Sequence, residues 1–117
     1  MNWYLAKLIF RIVCGDGNHT PQFDEQLRLI SAENNEQALM KAQMLGENEG
    51  DDNSSYKIVK WRFINIAELY RITELIDGAE LYSRVQETDD ADAYMELVNT
   101  RARFIRENNT HSYLQLL

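Results

Sequence analysis

The first thirty residues alternate between apolar and polar positions with the period of a β-strand. Every second residue from Tyr4 to Cys14 is apolar, and a second alternating run begins at Gln22. Residues 15–21, between the two runs, contain two glycines and the only proline of the chain. The pattern therefore predicts a long β-hairpin, with strands over residues 3–14 and 22–32.

The other face of the first strand is also largely apolar. It carries Trp3, Leu5, Ile9 and Val13. A strand that is apolar on both faces needs cover on both. Two covers fit this second face: another subunit, or the C-terminal tail of the same chain.

A helix is predicted after the hairpin. Asn34 and Gln37 have the spacing of a capping box, and Gly46 is the predicted stop. The apolar stripe of this helix consists of Ala38, Ala42 and Leu45. Its small alanines favour close packing on a sheet.

Strand alternation returns after Tyr56. Residues 66–75 fit a helix as well as a strand, but Asp77-Gly78 favours a tight hairpin turn. We therefore predict a long, bulged third strand and a fourth strand over residues 79–86. A last helix follows Thr88-Asp89-Asp90, and its predicted buried stripe consists of Ala91, Met95, Val98, Ala102 and Ile105.

The order of elements is strand-strand-helix-strand-strand-helix. It predicts an α+β fold, ββαββα, with a four-stranded antiparallel sheet and two helices on one face, which is a permuted ferredoxin-like order. The 117 residues fit a single domain, with a mobile acidic loop over residues 47–55 and a C-terminal tail over residues 108–117.

Composition narrows the classes of partner. Nineteen acidic residues against twelve basic ones give a net charge of −7, which argues against binding nucleic acid or anionic membranes. The apolar run 8–14 is too short to span a bilayer, which takes roughly 20 residues. A single cysteine excludes an internal disulfide, and together with the lack of a signal peptide it predicts a cytoplasmic protein. Among the hypotheses for the function, we rank last an acidic inhibitor protein that mimics nucleic acid.

Few residues of the sequence suggest a catalytic or metal-binding role. His19 lies in a loop of turn-forming residues, and no catalytic set, metal site or cofactor is predicted. An apolar pocket between sheet and helices is the best ligand site, with the candidate residues Tyr4, His19, Glu25, Trp61 and Tyr82. A small-molecule binder or cofactor-free enzyme using this pocket is the alternative hypothesis.

The leading hypothesis is a non-enzymatic protein-interaction or assembly module that acts as a homodimer, with a protein partner still to be identified. It rests on apolar residues in excess of what one core needs. The predicted interface residues are Trp3, Leu5, Ile9, Val13, Leu97, Phe104, Leu116 and Leu117.

Several segments together resemble one known family. They are Trp3-Tyr4-Leu5-Ala6-Lys7-Leu8, Asp24-Glu25-Gln26-Leu27-Arg28-Leu29-Ile30, the helix with Glu36-Gln37-Ala38 and Lys41-Ala42, Val59-Lys60-Trp61-Arg62-Phe63, and Asp77-Gly78-Ala79-Glu80-Leu81-Tyr82-Ser83. Over about residues 3–83 the chain resembles the uncharacterised bacterial family called domain of unknown function 4288. The resemblance implies a small cytoplasmic bacterial domain and transfers no catalytic residue.

Overall fold

The computed structural model describes residues 1–52 and 56–116, with side chains as far as residue 108. Its contacts divide the chain into two units, Met1–Ser83 and Arg84–Leu117. The first unit contains β1 (Asn2–Cys14), β2 (Gln22–Ala32), α1 (Asn35–Glu49) and β3 (Val59–Ile72). The second contains α2 (Ala91–Leu116).

The hairpin prediction is confirmed. β1 and β2 pair antiparallel from Asn2 opposite Ala32 to Ile12 opposite Gln22. Gly15 and Gly17 adopt φ angles of 57° and 83° in the connecting loop. Such positive angles are accessible to glycine at little cost, which explains both residues.

The long, bulged third strand is also confirmed. β3 pairs antiparallel with β1 and shifts register twice, between Lys7 and Leu8 and between Ile9 and Phe10. β1 is therefore the central strand of a sheet with the order β2-β1-β3.

The four-stranded sheet and the permuted ferredoxin-like order were wrong, because the sheet has three strands and residues 79–86 form none. The predicted turn does exist: Gly78 has φ 84°, and the Ala79 N–H donates to the Ile76 carbonyl over 3.0 Å. However, β3 already ends at Ile72, so the chain turns beyond the sheet. The returning segment packs the Tyr82 ring against Tyr70 instead, at 5.6 Å between centroids.

The structure contains the two predicted helices, of which α1 belongs to the unit with the sheet and α2 to the second unit. α1 covers the face that carries the core. The buried residues of this core are Tyr4, Ala6, Leu8, Phe10, Ile30, Ala32, Ala38 and Ala42.

Both ends of α1 are capped. Asn34 Oδ1 accepts the Gln37 N–H over 2.8 Å, as the capping pattern predicts. Gly46 does not end the helix, which continues to Glu49; the Gly50 N–H donates to the Gly46 carbonyl over 2.9 Å. Residues 47–49 of the predicted acidic loop are therefore helical, whereas 53–55 lie outside the described residues.

α2 begins as predicted, because Asp90 Oδ1 accepts the Ala93 N–H over 3.0 Å. Its predicted apolar stripe runs along the helix, but every side chain described from residue 91 to 108 is exposed. The predicted C-terminal tail is helical as far as Leu116. The side chains of Leu116 and Leu117 lie outside the described residues.

Candidate functional site

The face of the sheet turned away from α1, called the open face below, carries an unusual set of β2 side chains. Residues paired across strands share a face, so Phe23, Leu27 and Leu29 stand there with Arg11, Lys7 and Leu5 of β1. The three β2 side chains remain 55%, 51% and 49% exposed. β2 thus presents three of its large apolar residues on the side that α1 leaves uncovered, and Ile30 on the core side.

β1 contributes the residues that the alternation singled out. Trp3, Leu5, Ile9 and Val13 all lie on the open face. Leu5 is buried at 8% exposure, Ile9 and Val13 are half-buried, and Trp3 is 40% exposed. The structure therefore brings these four predicted interface residues together on one surface.

An ion pair lies at the centre of the open face. Lys7 Nζ is 3.2 Å from Glu68 Oε2, and the Tyr82 ring centroid is 5.9 Å from the same nitrogen. Glu68 Oε2 is buried without hydrogen-bond geometry toward any described donor, so charge attraction at this short distance is the better description of the contact. The pair neutralises itself within one chain.

The pKa values at this centre follow from the same contacts. The side-chain interaction with Glu68 raises the pKa of Lys7, which outweighs the lowering effect of desolvation. Desolvation, followed by the charge of Glu68, raises the pKa of Tyr70. Lys7 is therefore charged and Tyr70 neutral at pH 7.

Basic residues gather at the end of the open face near the hairpin loop. Arg11 is paired with Arg62, and Val13 with Lys60. Both arginines are exposed. Two like charges directly opposite each other are unfavourable, so this end of the sheet suits the edge of a contact surface better than its centre.

On the opposite face of β2, Asp24, Gln26 and Arg28 are polar, whereas Ile30 and Ala32 belong to the core. Asp24 Oδ2 accepts from Trp61 Nε1 at 3.2 Å and from Gln26 Nε2 at 2.7 Å. Gln26 Oε1 accepts from Arg28 Nη1 at 3.1 Å, and Arg28 binds both carboxylate oxygens of Glu49 at 2.6 and 2.7 Å. The hydrogen bond with its partner raises the pKa of Arg28 and lowers that of Glu49. This series of side-chain hydrogen bonds and the ion pair hold β2 to the end of α1.

The predicted ligand-pocket residues do not converge. Tyr4 is 2% exposed in the core under α1, and Trp61 lies on that same side of the sheet. Glu25 and Tyr82 stand on the open face. His19 stays in the hairpin loop, where Nε2 accepts the Cys14 N–H over 3.0 Å and Nδ1 is 2.9 Å from the Thr20 carbonyl.

Sequence reasoning missed Glu68 and Tyr70 as parts of the central cluster. Their position opposite Lys7 and Leu5 depends on the two register shifts in β3, which the alternation of residues does not locate. The only signal in the sequence was a charged residue, Lys7, between the apolar residues Leu5 and Ile9 on one face of β1. Such a residue calls for a charged partner nearby.

Among the residues that the structure describes, no three His, Cys, Asp or Glu side chains are arranged to hold a metal ion. In the same part of the chain, no helix has both the length and the apolar character needed to cross a membrane.

Comparison with known proteins gives one match. The family model described as Domain of unknown function (DUF4288) matches residues 3–83, which confirms the resemblance noted in the sequence. No curated protein and no solved structure matches the chain significantly. The matched residues contain the hairpin, α1, β3 and Tyr82, and so include the whole open face.

Proposed function

The chain belongs to the DUF4288 family, and we propose that it is a non-enzymatic protein-interaction module that works as a homodimer through its open face. The single exposed cysteine and the resemblance to a bacterial family support a place in the bacterial cytoplasm as part of this proposal. The pocket alternative has less support, because its five candidate residues lie on different surfaces.

The observation that carries the proposal is the direction of the β2 side chains. Phe23, Leu27 and Leu29 are each about half exposed although they belong to the same strand as core residue Ile30. Full burial of such a side chain stabilises by roughly 1.5–3 kcal/mol, so covering the exposed half of each contributes about 1 kcal/mol. Leu27 and Leu29 are neighbours on this face, whereas Glu25 separates Leu27 from Phe23. Large apolar side chains exposed on one surface in this way favour a protein contact.

The charges on the open face favour a second copy of the chain as the partner. A two-fold axis through the open face brings the apolar side chains of one copy, such as Leu27 and Leu29, against those of the other. The Lys7–Glu68 pair is already neutralised within each copy, and the charge of Glu25 on the same face also acts on Lys7, so the charges at this place largely balance within one chain. Arg11 and Arg62 stay at the rim in water, which is the usual arrangement of an interface with an apolar core and a polar edge.

Sedimentation equilibrium of matched leucine variants tests the proposal. Leu27→Ser places a hydroxyl at the centre of the open face, and the symmetric dimer loses two leucines. We expect a dissociation constant at least about tenfold weaker than that of the wild type. Leu39→Ser is the control, because Leu39 is a comparably exposed leucine on α1, outside the open face.

A wild-type chain that stays monomeric at high concentration would contradict the homodimer. A dimer that Leu27→Ser and Leu39→Ser weaken equally would contradict the open face as its interface.

A further inference from the structure

A cleft of about 610 Å³ lies where α1 begins, beside the start of β1 and the end of β3. Tyr4 of β1 and Arg71 of β3 line it from the sheet, and the two residues are paired directly across the strands. Tyr4 belongs to the core that α1 covers, so the cleft is on the α1 side of the sheet. The open face does not contribute to it.

Tyr4 has a buried ring and a hydroxyl without a partner. The residue is 2% exposed, and its hydroxyl makes no hydrogen bond with any described residue. In the described part of the chain, the one enclosed side-chain oxygen that lacks a hydrogen bond is Glu68 Oε2, so the Tyr4 hydroxyl is open to the cleft. Tyrosine hydroxyls on buried rings usually have a partner. This hydroxyl therefore indicates a position where a ligand accepts a hydrogen bond.

The start of α1 supplies two further donors. The first N–H groups of a helix have no acceptor within the helix. Asn34 accepts from Gln37 through its side chain and from Ala38 through its carbonyl. The described residues provide no acceptor for the N–H groups of Asn35 and Glu36, and both of these residues line the cleft. The helix dipole adds partial positive charge here, which favours a negatively charged group.

Arg71 is held at the same place by a short series of hydrogen bonds. Its Nη2 donates to Asn2 Oδ1 over 3.0 Å, and Asn2 Nδ2 donates to the Glu33 carbonyl over 3.1 Å. Arg71 forms no ion pair with any described carboxylate, although Glu33 and Glu36 line the same cleft. The cleft therefore offers a guanidinium group and two carboxylate groups that do not neutralise each other by direct contact.

We propose that this cleft binds a free α-amino acid. The carboxylate of the amino acid accepts from Arg71, from the first N–H groups of α1 and from the Tyr4 hydroxyl. Its ammonium group lies toward Glu33 and Glu36. The balance of charges is the reason for this class of ligand. A simple anion would be repelled by the two carboxylates, and a simple cation would leave Arg71 without an anion. A zwitterion satisfies both sets.

Amide NMR spectra of the isotope-labelled full chain test the proposal, with free L-amino acids added one at a time. We expect at least one of them to shift the N–H signals of Asn35 and Glu36 in a saturable way. The amide of that amino acid lacks the carboxylate, and its N-acetyl derivative lacks the ammonium group. Each should bind about tenfold more weakly or worse.

Two outcomes of the titrations would overturn the proposal. One is the absence of a saturable shift at Asn35 and Glu36 with every amino acid. The other is an N-acetyl derivative that binds as tightly as the free amino acid, because the site would then recognise a plain carboxylate. Glu33→Gln separates the same two cases. It should weaken the binding of the amino acid, whereas it would strengthen the binding of a plain anion.

Tyr4→Phe tests the hydroxyl alone. Because this hydroxyl has no partner in the protein, we expect the variant to unfold at the same urea concentration as the wild type or a higher one. Its affinity for the amino acid should fall about tenfold, the loss of one hydrogen bond to a charged group. Tyr94→Phe on α2 is the control and should leave the affinity unchanged. Equal affinities of Tyr4→Phe and the wild type would overturn the role of Tyr4.

Arg71→Gln tests the cationic group. We expect it to weaken the binding of the amino acid about tenfold or more. Arg103→Gln is the control, because it removes the same charge from α2 and should leave the affinity unchanged. Equal effects of the two substitutions would mean that only the net charge of the chain matters, and would overturn the assignment of Arg71.

Discussion

Arg28 and Glu49 form a bidentate ion pair that joins the middle of β2 to the last residue of α1. Both side chains are partly exposed, at 31% and 41%, so solvent screens the attraction. The planar guanidinium nevertheless donates to both carboxylate oxygens. We therefore expect a stabilisation toward the upper end of the range for exposed ion pairs.

Replacing Glu49 by Gln tests the pair and its pH dependence. We expect Glu49→Gln to lower the free energy of unfolding at pH 7 by about 0.2–1 kcal/mol, the range for exposed pairs. Arg28 lowers the pKa of Glu49 from its ordinary 4.5. A lowered pKa means that the stabilisation is complete above the unfolded-state value and is lost as the pH falls through the folded-state value. The difference between wild type and variant should therefore disappear as the pH falls below 4.5.

Urea unfolding between pH 7 and pH 3 measures this difference. Glu47→Gln is the control, because Glu47 is in the same last turn of α1 and the described residues provide it with no ion pair. A Glu49→Gln effect that persists unchanged at pH 3 would mean that the carboxylate charge is not its source.

At the scale of elements, the contact between α1 and β3 depends on a missing side chain. A Cβ added at Gly46 would lie 2.2 Å from Phe63 Cε1. The Phe63 ring cannot move freely, because it packs against Phe10 with 5.5 Å between ring centroids. Gly46 therefore allows the helix to lie directly on the sheet.

Substituting this glycine should reverse the usual effect of alanine in a helix. Alanine normally stabilises a helix interior by about 1 kcal/mol relative to glycine. We expect Gly46→Ala to destabilise by roughly 1–3 kcal/mol instead, because the added methyl overpacks the contact with Phe63. Urea unfolding measures the change in the free energy of unfolding. Asn48→Ala, at an exposed position of α1, is the control, and we expect it to stabilise the protein where Gly46→Ala destabilises it. A more stable Gly46→Ala protein would contradict the close packing.

Elements whose signals are local could be predicted from the sequence. The hairpin follows from alternation around a loop with two glycines, and the start of α1 follows from Asn34. The stop at Gly46 was wrong because this glycine serves a contact with Phe63, which is distant in sequence. The fourth strand was wrong for a similar reason. The Asp77-Gly78 turn forms, but strand pairing depends on where β3 leaves the sheet.

At the scale of the molecule, alternation identified the apolar residues of β1 that share the open face, such as Trp3 and Ile9. It also placed Phe23 and Leu27 on one face of β2. It could not say which face α1 covers, because that depends on the three-dimensional path of the chain. For this reason it could not show that Tyr4 and Tyr82, both named as pocket residues, stand on opposite faces of the sheet.

The most direct measurement of the central claim is an isotope-filtered NOE experiment on a mixture of labelled and unlabelled full-length chains. If a second copy covers the open face, the Leu27 and Leu29 methyl groups will give intermolecular NOEs to open-face residues such as Ile9 and Phe23. The exposed Met40 methyl group on α1 will give none. Intermolecular NOEs at Met40 but not at Leu27, or none at any of these residues, would contradict the account.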